Sequence, residues 1–391
     1  MQPPTKALQL LHQVATKDGF LASSTSVANY HRIWARDGVI CGIAALASGD
    51  AMLIEAFKNT LLQLQKHQHP LGTIPSNVQI NEATEPQVSY GGLAGRVDAL
   101  HWYVIGCCLY TEHTGDWFFW EQAMPSITKA LALTEAWEFN HAHLMYVPIS
   151  GNWADEYLTH GYVLYDQLLR LWAMRLVGRL SQQDRWLQKS MAIENQLLLN
   201  FTPNQFPSHY HPSAYDKNEW KAYWPASFSP AGYINQFDAF ANALTILLEL
   251  PSAHQRQQQL AFMKRLTDEL PLQLVPAFWP VVQPADAAWV QLENNCKYEF
   301  RNQPYEFHNG GSWPMVNGFV GLSACAEMDF SFAQRLYERI QQANALQNDS
   351  FYENFNSATG QPNGVPFCAW SAAAEVFLYA SLQSSYQIPF K

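Results

Sequence analysis

Arg36-Asp37-Gly38-Val39-Ile40-Cys41-Gly42-Ile43-Ala44-Ala45-Leu46 opens on a charged pair and continues as small apolar residues with no polar face. A helix that is apolar nearly all round has to be buried on both sides. The same phrase recurs along the chain: an aromatic- or glycine-rich loop, an Asp or Trp, then an apolar run at helical spacing. Its other openings are Val97-Asp98-Ala99, Tyr165-Asp166-Gln167, Phe237-Asp238-Ala239, Ser312-Trp313-Pro314 and Ala369-Trp370-Ser371. Successive openings are 61, 68, 72, 75 and 57 residues apart.

Between these runs lie more charged helical patterns with a single apolar face, at 51–68, 117–139, 184–200, 253–269 and 331–346, with a first one at 5–16. Repeats of this length that bury a face against their neighbours build solenoids or rings. The units share little identity and the chain has no polar capping repeats, which predicts a ring. The expected fold is all-α, an (α/α)6 barrel of six outer-inner helix pairs.

The chain has 391 residues and no Pro/Gly/Ser linker or shift of composition divides it, so one domain over 1–391 is expected. Charged residues make up 14% where about a quarter is usual, and aromatic residues reach 14%, with 14 Trp. That balance implies a large core and an aromatic-lined site. A net charge of −10 argues against a nucleic-acid partner, which needs clustered Lys and Arg, and favours a neutral small molecule. No signal-peptide pattern follows Met1, and nowhere do 18 apolar residues run together, so a cytoplasmic protein without a membrane partner is expected. The sequence carries no statement of oligomeric state.

Of six cysteines, Cys41, Cys107, Cys108, Cys325 and Cys368 fall in or at the start of inner-helix patterns without C-x-x-C spacing, as buried small hydrophobes in a reducing compartment do. Three His-x-His pairs, His67/His69, His141/His143 and His209/His211, have no Cys or carboxylate at ligand spacing, and no metal or cofactor is expected. Gly91-Gly92-Leu93-Ala94-Gly95 lacks the order of a phosphate loop and reads as a rim loop. Trp117, Phe118, Phe119 and Trp120 open an outer helix and read as packing between helix layers.

In such a barrel all inner helices run the same way, and one rim collects their N-terminal ends, whose free N–H groups suit polar ligands. The loops entering that rim hold the unusual residues: Trp34, Arg36, Asp37, Tyr90, Arg96, Asp98, Trp153, Asp155, Glu156, His160, Tyr223, Trp224, Asp238, His308, Asn309, Trp313, Glu353 and Trp370. Flat rings beside carboxylates, amides and Arg are what a sugar site requires. Glycoside cleavage adds a need for two carboxyl groups astride one bond, one protonated and one ionised. Asp98, within Gly95-Arg96-Val97-Asp98-Ala99-Leu100-His101-Trp102, is either a helix cap or such a group, and spacing alone does not decide. Glu353, within Phe351-Tyr352-Glu353-Asn354-Phe355, is either a solvated loop residue or a carboxyl whose aromatic setting raises its pKa. Asp238 is equally open between cap and sugar contact.

Several motifs together resemble the (α/α)6-barrel glycoside hydrolases: Trp34-Ala35-Arg36-Asp37, Val97-Asp98-Ala99-Leu100-His101-Trp102 running to Thr114-Gly115-Asp116, Phe307-His308-Asn309-Gly310-Gly311-Ser312-Trp313-Pro314, and Phe351-Tyr352-Glu353-Asn354-Phe355. The match is to the alkaline/neutral invertases and to the amylo-1,6-glucosidase half of glycogen-debranching enzymes, and it touches five of the six entry loops. The resemblance implies an inverting hydrolase in which Asp98 is the general acid and Glu353 the general base. It further implies a sugar-binding rim of Trp34, Arg36, Asp37, Tyr90, Arg96, Trp102, Trp153, Asp155, His308, Asn309, Trp313 and Trp370. Two features depart from the invertases: Arg96 and Ala99 stand where they have Pro and Ser around Val-Asp, and Ser150-Gly151-Asn152-Trp153-Ala154-Asp155 is nearer the debranching glucosidases. The expected substrate is a small saccharide cleaved from its end, sucrose first and a short α-glucoside as the alternative. A sugar 2-epimerase using His101, His160 or His308, or a non-catalytic sugar-binding protein, is the reading from another class.

Overall fold

The computed structural model describes every residue except 28, 82, 83, 207, 208 and 391. Its outer helices are α1 (Thr5–Val14), α3 (Ala51–Lys66), α5 (Trp117–Ala136), α7 (Asp184–Phe201), α10 (Ala253–Asp268) and α13 (Phe330–Asn344). The inner helices are α2 (Ala35–Ser48), α4 (Asp98–Thr114), α6 (Leu164–Ser181), α9 (Ala239–Leu247), α12 (Pro314–Ala326) and α15 (Ala369–Leu382). Three short helices, α8 (Pro212–Asp216), α11 (Trp289–Asn294) and α14 (Leu346–Asp349), lie in the connections. Each inner helix packs on the next, and α15 packs back on α2. The ring is closed, and the fold is the (α/α)6 barrel that the repeated phrase predicts.

The two sets of helices begin differently. Four outer helices carry a side-chain cap, from Asp50, Asp116, Ser252 and Asp329. Among the inner helices only α9 does, where Asp238 accepts from the Ala241 N–H at 3.0 Å. Asp238 is therefore a cap, while the other five inner helices present their first N–H groups to the rim without one.

Short strands, which helical periodicity does not announce, fix the entries. β3 (Ile33–Trp34) leads directly into α2 and pairs with β4 (Asn77–Asn81), which pairs with β5 (Thr84–Ser89). β6 (Tyr162–Val163) leads into α6 and starts a four-stranded sheet with β7 (Pro225–Ser229), β8 (Gly232–Asp238) and β9 (Phe278–Trp279), of which β8 delivers the chain to α9. Two hairpins remain, β1 (Ala15–Thr16) with β2 (Gly19–Phe20) and β10 (Asn354–Phe355) with β11 (Pro362–Asn363).

The barrel axis is filled. Trp102 of α4 meets Trp172 of α6 at 6.1 Å, Phe240 of α9 at 6.2 Å and Phe319 of α12 at 6.3 Å. Since α4 and α12 stand on opposite sides of the ring, these rings meet in its middle. Phe319 also packs on Phe377 of α15 at 5.3 Å. All five rings are buried. On the far side Phe390 packs on Trp172 at 4.6 Å, and the Trp172 indole N–H donates to the Pro389 carbonyl at 2.9 Å.

All six cysteines are free; Cys41, Cys107, Cys108 and Cys368 are buried as expected, while Cys325 is half-buried. Phe119 and Trp120 pack between the layers, but Trp117 and Phe118 at the same helix start are 52% and 70% exposed, so the expectation of core packing holds for only half of that cluster. Among the described residues no helix is long and apolar enough to cross a membrane.

Small residues on the inner helices set how closely the layers approach. A Cβ added at Gly42 of α2 would lie 2.2 Å from the Phe57 ring of α3. Phe57 is fully buried and has no room to retreat. Gly42→Ala gains about 1 kcal/mol of helix propensity but overpacks the layer interface at a cost of about 1–3 kcal/mol. We expect a lower midpoint of urea unfolding than in the wild type; an equal or higher midpoint would show that the layers are not in contact there.

Candidate active site

At the rim where the inner helices begin lies a cleft of about 570 Å³, open to solvent. Its wall is formed by Asn29, Tyr30, Trp34, Arg36, Asp37, Trp153, Asp155, Arg301, Phe307, His308, Trp313, Glu353 and Trp370. A smaller recess lies between Trp34, Arg36, Ser76, Arg96, Asp98 and Ala99. Trp34 and Arg36 line both, and so form the partition between them.

Rings supply the cleft with flat walls. Trp153 stacks on Phe278 at 5.9 Å and meets His308 edge-on at 5.0 Å, and His308 in turn stacks on Trp313 at 5.0 Å. Trp370 meets Trp313 edge-on at 5.8 Å and carries the Arg36 guanidinium over its face at 5.1 Å. Burial lowers the pKa of His308 to about 3, against the opposing charge of Asp155, so the ring is neutral.

Glu353 comes from the loop before β10. Its backbone N–H bonds to the Val365 carbonyl at 2.9 Å, and the Val365 N–H reaches its Oε2 at 3.3 Å. The returning strand passes so close that only glycine fits at position 364, where φ is +75° and a Cβ would stand 2.3 Å from Oε2. Tyr30 donates its hydroxyl to Oε1. Burial drives the pKa of Glu353 up to about 7; the Tyr30 hydroxyl, Arg301 and the Val365 N–H pull the other way and compensate only in part. The Glu353 side chain is thus a buried carboxyl that titrates near neutrality, and the solvated-loop alternative is excluded.

Asp98 is not a cap either. α4 begins without a side-chain cap, and Asp98 Oδ2 instead receives Arg36 Nη1 at 3.1 Å and the Tyr165 hydroxyl at 3.3 Å. Arg36 also faces Asp37, with Nε 3.6 Å from Oδ2, and neither of those two buried atoms has a hydrogen bond. Burial raises the pKa of Asp37 to about 6 despite the neighbouring guanidinium. One arginine therefore stands between two carboxylates, one on each side of the partition.

Arg96 crosses behind the wall. It donates to the Ser150 carbonyl and to Asp155 Oδ2, tying the loop before α4 to the Trp153-Ala154-Asp155 loop. Burial works to raise the pKa of Asp155, but the charge of Arg96, with Arg36 and Arg301, outweighs it and holds the carboxyl below its ordinary range. Arg301 faces the cleft from the far side and is held by Glu156 at 3.3 Å.

Of the residues expected as catalytic or sugar-binding, Trp34, Arg36, Asp37, Trp153, Asp155, His308, Trp313, Trp370 and Glu353 line the cleft, and Asp98 and Arg96 line the recess. Three are placed elsewhere. Trp102 is in the filled axis, where its indole N–H bonds to Tyr165 at 2.8 Å. Tyr90 donates to the His67 carbonyl at 2.9 Å and packs on His69. Asn309 is fully buried, and its amide clamps the backbone of Val282 at 2.8 and 2.9 Å. Their aromatic or amide character is used for the scaffold instead of a ligand. Tyr30 and Arg301 reach the cleft without having been expected. A Tyr shortly before Ile33, where strand β3 starts, and a lone Arg between Phe300 and Phe307 are the signals that point to them. Among the described residues no three His, Cys, Asp or Glu converge as metal ligands.

The family model described as alkaline and neutral invertase matches residues 9–211 and 199–374. Alkaline/neutral invertase E, chloroplastic, of Arabidopsis thaliana is 24% identical over 75% of this chain, and the chain spans 56% of that relative's length. Among solved structures, the GH63 mannosylglycerate hydrolase of Thermus thermophilus in complex with Tris superposes with a TM-score of 0.67 at 14% identity, covering 96% of this chain and 99% of that one. A bacterial glucoamylase complexed with acarbose gives 0.65 at 14% identity, covering 98% of this chain and 56% of that one. At such identities these two speak for the fold alone. The family match runs over most of the chain and includes the loops that carry the cleft, so the chain belongs to the alkaline and neutral invertase family of glycoside hydrolases.

Proposed function

We propose that this protein is an inverting glycoside hydrolase that removes the end unit of a small neutral saccharide, with sucrose as its leading substrate. The observation that carries the reading is Glu353, a buried carboxyl in an aromatic-walled cleft that titrates near neutrality and is fixed by Tyr30 and the Val365 N–H. A general base works best with a pKa near the operating pH. Above its pKa Glu353 takes a proton from water, and the water attacks the anomeric carbon.

In this reading the glycosyl unit occupies the cleft and the scissile bond lies at the Trp34/Arg36 partition, with the leaving group toward the recess that Asp98 lines. Asp98 gives its proton to the glycosidic oxygen as the bond breaks, and the configuration at the anomeric carbon inverts. For Asp98 to carry that proton the Arg36 contact has to loosen. Asp37 supports this, since its unbonded Oδ2 lies 3.6 Å from Arg36 Nε and offers the guanidinium another partner.

The epimerase reading loses its chemistry. It calls for paired histidines at the reacting carbon, and of the three candidates only His308 lines the cleft. His101 is fully buried in α4, and His160 Nδ1 is engaged with the Leu158 carbonyl at 2.9 Å.

The test is a panel of sucrose, isomaltose, maltose, trehalose, short maltodextrins and mannosylglycerate, with the anomer of the first sugar released followed by proton NMR. Hydrolysis of sucrose with inversion supports the leading substrate; cleavage of glucosyl-glucose bonds alone moves the protein to the short α-glucosides. Asp98→Asn and Glu353→Gln are each expected to lower kcat about a hundred- to ten-thousandfold. Wild-type turnover in either variant would remove that residue from the mechanism, and silence of the wild type on every sugar would favour a binding protein.

The pH dependence follows from Glu353. Its carboxyl is protonated below about pH 7 and is then no base, so kcat/KM should fall as pH drops through about 7. Tyr30→Phe removes a donor that favours the ionised form, and should move this acid limb to higher pH. A limb that stays in place in the variant would mean that Glu353 is not the group titrating.

A further inference from the structure

We infer that Tyr165, locked by Trp102, is the positioning residue that keeps the Asp98 carboxylate oriented through proton transfer. The inference rests on the reading of Asp98 as general acid. Trp102, Tyr165 and Asp98 are buried near the starts of the adjacent inner helices α4 and α6, between the filled axis and the recess.

The direction of each hydrogen bond in this column is fixed by chemistry. An indole N–H only donates, so at 2.8 Å Trp102 Nε1 occupies an acceptor position of the Tyr165 oxygen. The tyrosine has one proton, and its remaining neighbour is Asp98 Oδ2 at 3.3 Å, so that proton is directed at the carboxylate. Burial, with the charge of Asp98, raises the pKa of Tyr165 well above its ordinary value, so the hydroxyl keeps its proton.

Arg36 Nη1 reaches the same oxygen at 3.1 Å. With the Tyr165 hydroxyl directed at Oδ2, a proton carried by Asp98 once Arg36 has loosened sits on Oδ1. When that proton passes to the glycosidic oxygen, the O–H bond of Asp98 breaks, an O–H bond to the leaving group forms, and the negative charge left on the carboxylate is met by the Tyr165 hydroxyl, which itself transfers nothing. Arg36 has Asp37 as a second partner, whereas among the described residues the Tyr165 hydroxyl bonds only to Trp102 and Asp98, and it is the donor that stays. The ring is held by Phe240 at 5.2 Å and Trp153 at 6.3 Å, so Tyr165→Phe removes the hydroxyl and leaves the packing.

The experiment compares sucrose with α-D-glucosyl fluoride, whose leaving group needs little protonation, in the wild type, Tyr165→Phe, Trp102→Phe, the double variant and Asp98→Asn, with folding checked by circular dichroism and Tm. Loss of a hydrogen bond to a charged group should lower kcat on sucrose about ten- to a hundredfold in Tyr165→Phe and leave the fluoride within about twofold. Trp102→Phe should show a smaller loss of the same selectivity, and the double variant should be no worse than Tyr165→Phe, because Trp102 acts only through Tyr165. Equal losses on both substrates, or additive losses in the double variant, would reduce these residues to ordinary packing and overturn the inference. Should Asp98→Asn lose sucrose hydrolysis while Tyr165→Phe keeps it, the positioning role alone fails; should Asp98→Asn keep it, the acid reading fails and takes this role with it.

Discussion

Burial of the inner helices on both of their faces is the constraint from which the other features descend. A helix such as α2 has an outer layer behind it and the filled axis in front, and its middle has no place for an unsatisfied polar group. Polar residues are left to the ends. The outer helices are mostly capped by their own Asp or Ser at the opposite rim, whereas five of six inner helices begin without a side-chain cap at the rim where the cleft opens. The polar machinery is therefore gathered in one place by the same burial that closes the ring.

Gathering carboxylates under an aromatic wall raises their pKa values unless a cation intervenes, and this chain uses few cations for the purpose. Arg36 serves Asp98 and stands near Asp37, Arg96 serves Asp155, and Arg301 stands with Glu156 near Glu353. Asp155, with the direct contact, is held ionised, while Asp37 and Glu353, with less direct ones, drift up toward neutrality. Differences of this kind allow neighbouring carboxyls to take different parts in one reaction.

The ring itself is legible in the sequence because long apolar runs and their amphipathic partners impose a period that few other architectures share. The outer helices begin and end within a few residues of their patterns, as α3 and α13 show. Roles within the rim are less legible. Asp98 and Asp238 open inner helices in similar surroundings, yet one bonds Arg36 and Tyr165 on the two neighbouring inner helices and the other caps its own helix. That difference is made by partners 62 and 67 residues away and leaves no local trace. Tyr30 and Arg301 come from irregular segments where periodicity says nothing, and Trp102 and Asn309 have the residue types of a sugar site while serving the scaffold.

The aromatic rings that meet in the barrel axis have a bearing on traffic. Trp102, Trp172, Phe240, Phe319 and Phe377 stand buried between the cleft and the far end, where Phe390 packs on Trp172. A filled axis favours entry and exit by the same mouth. On the proposed reaction, both fragments of a split saccharide would have to clear through that mouth, and a fragment lingering at the entrance would bar the next arrival.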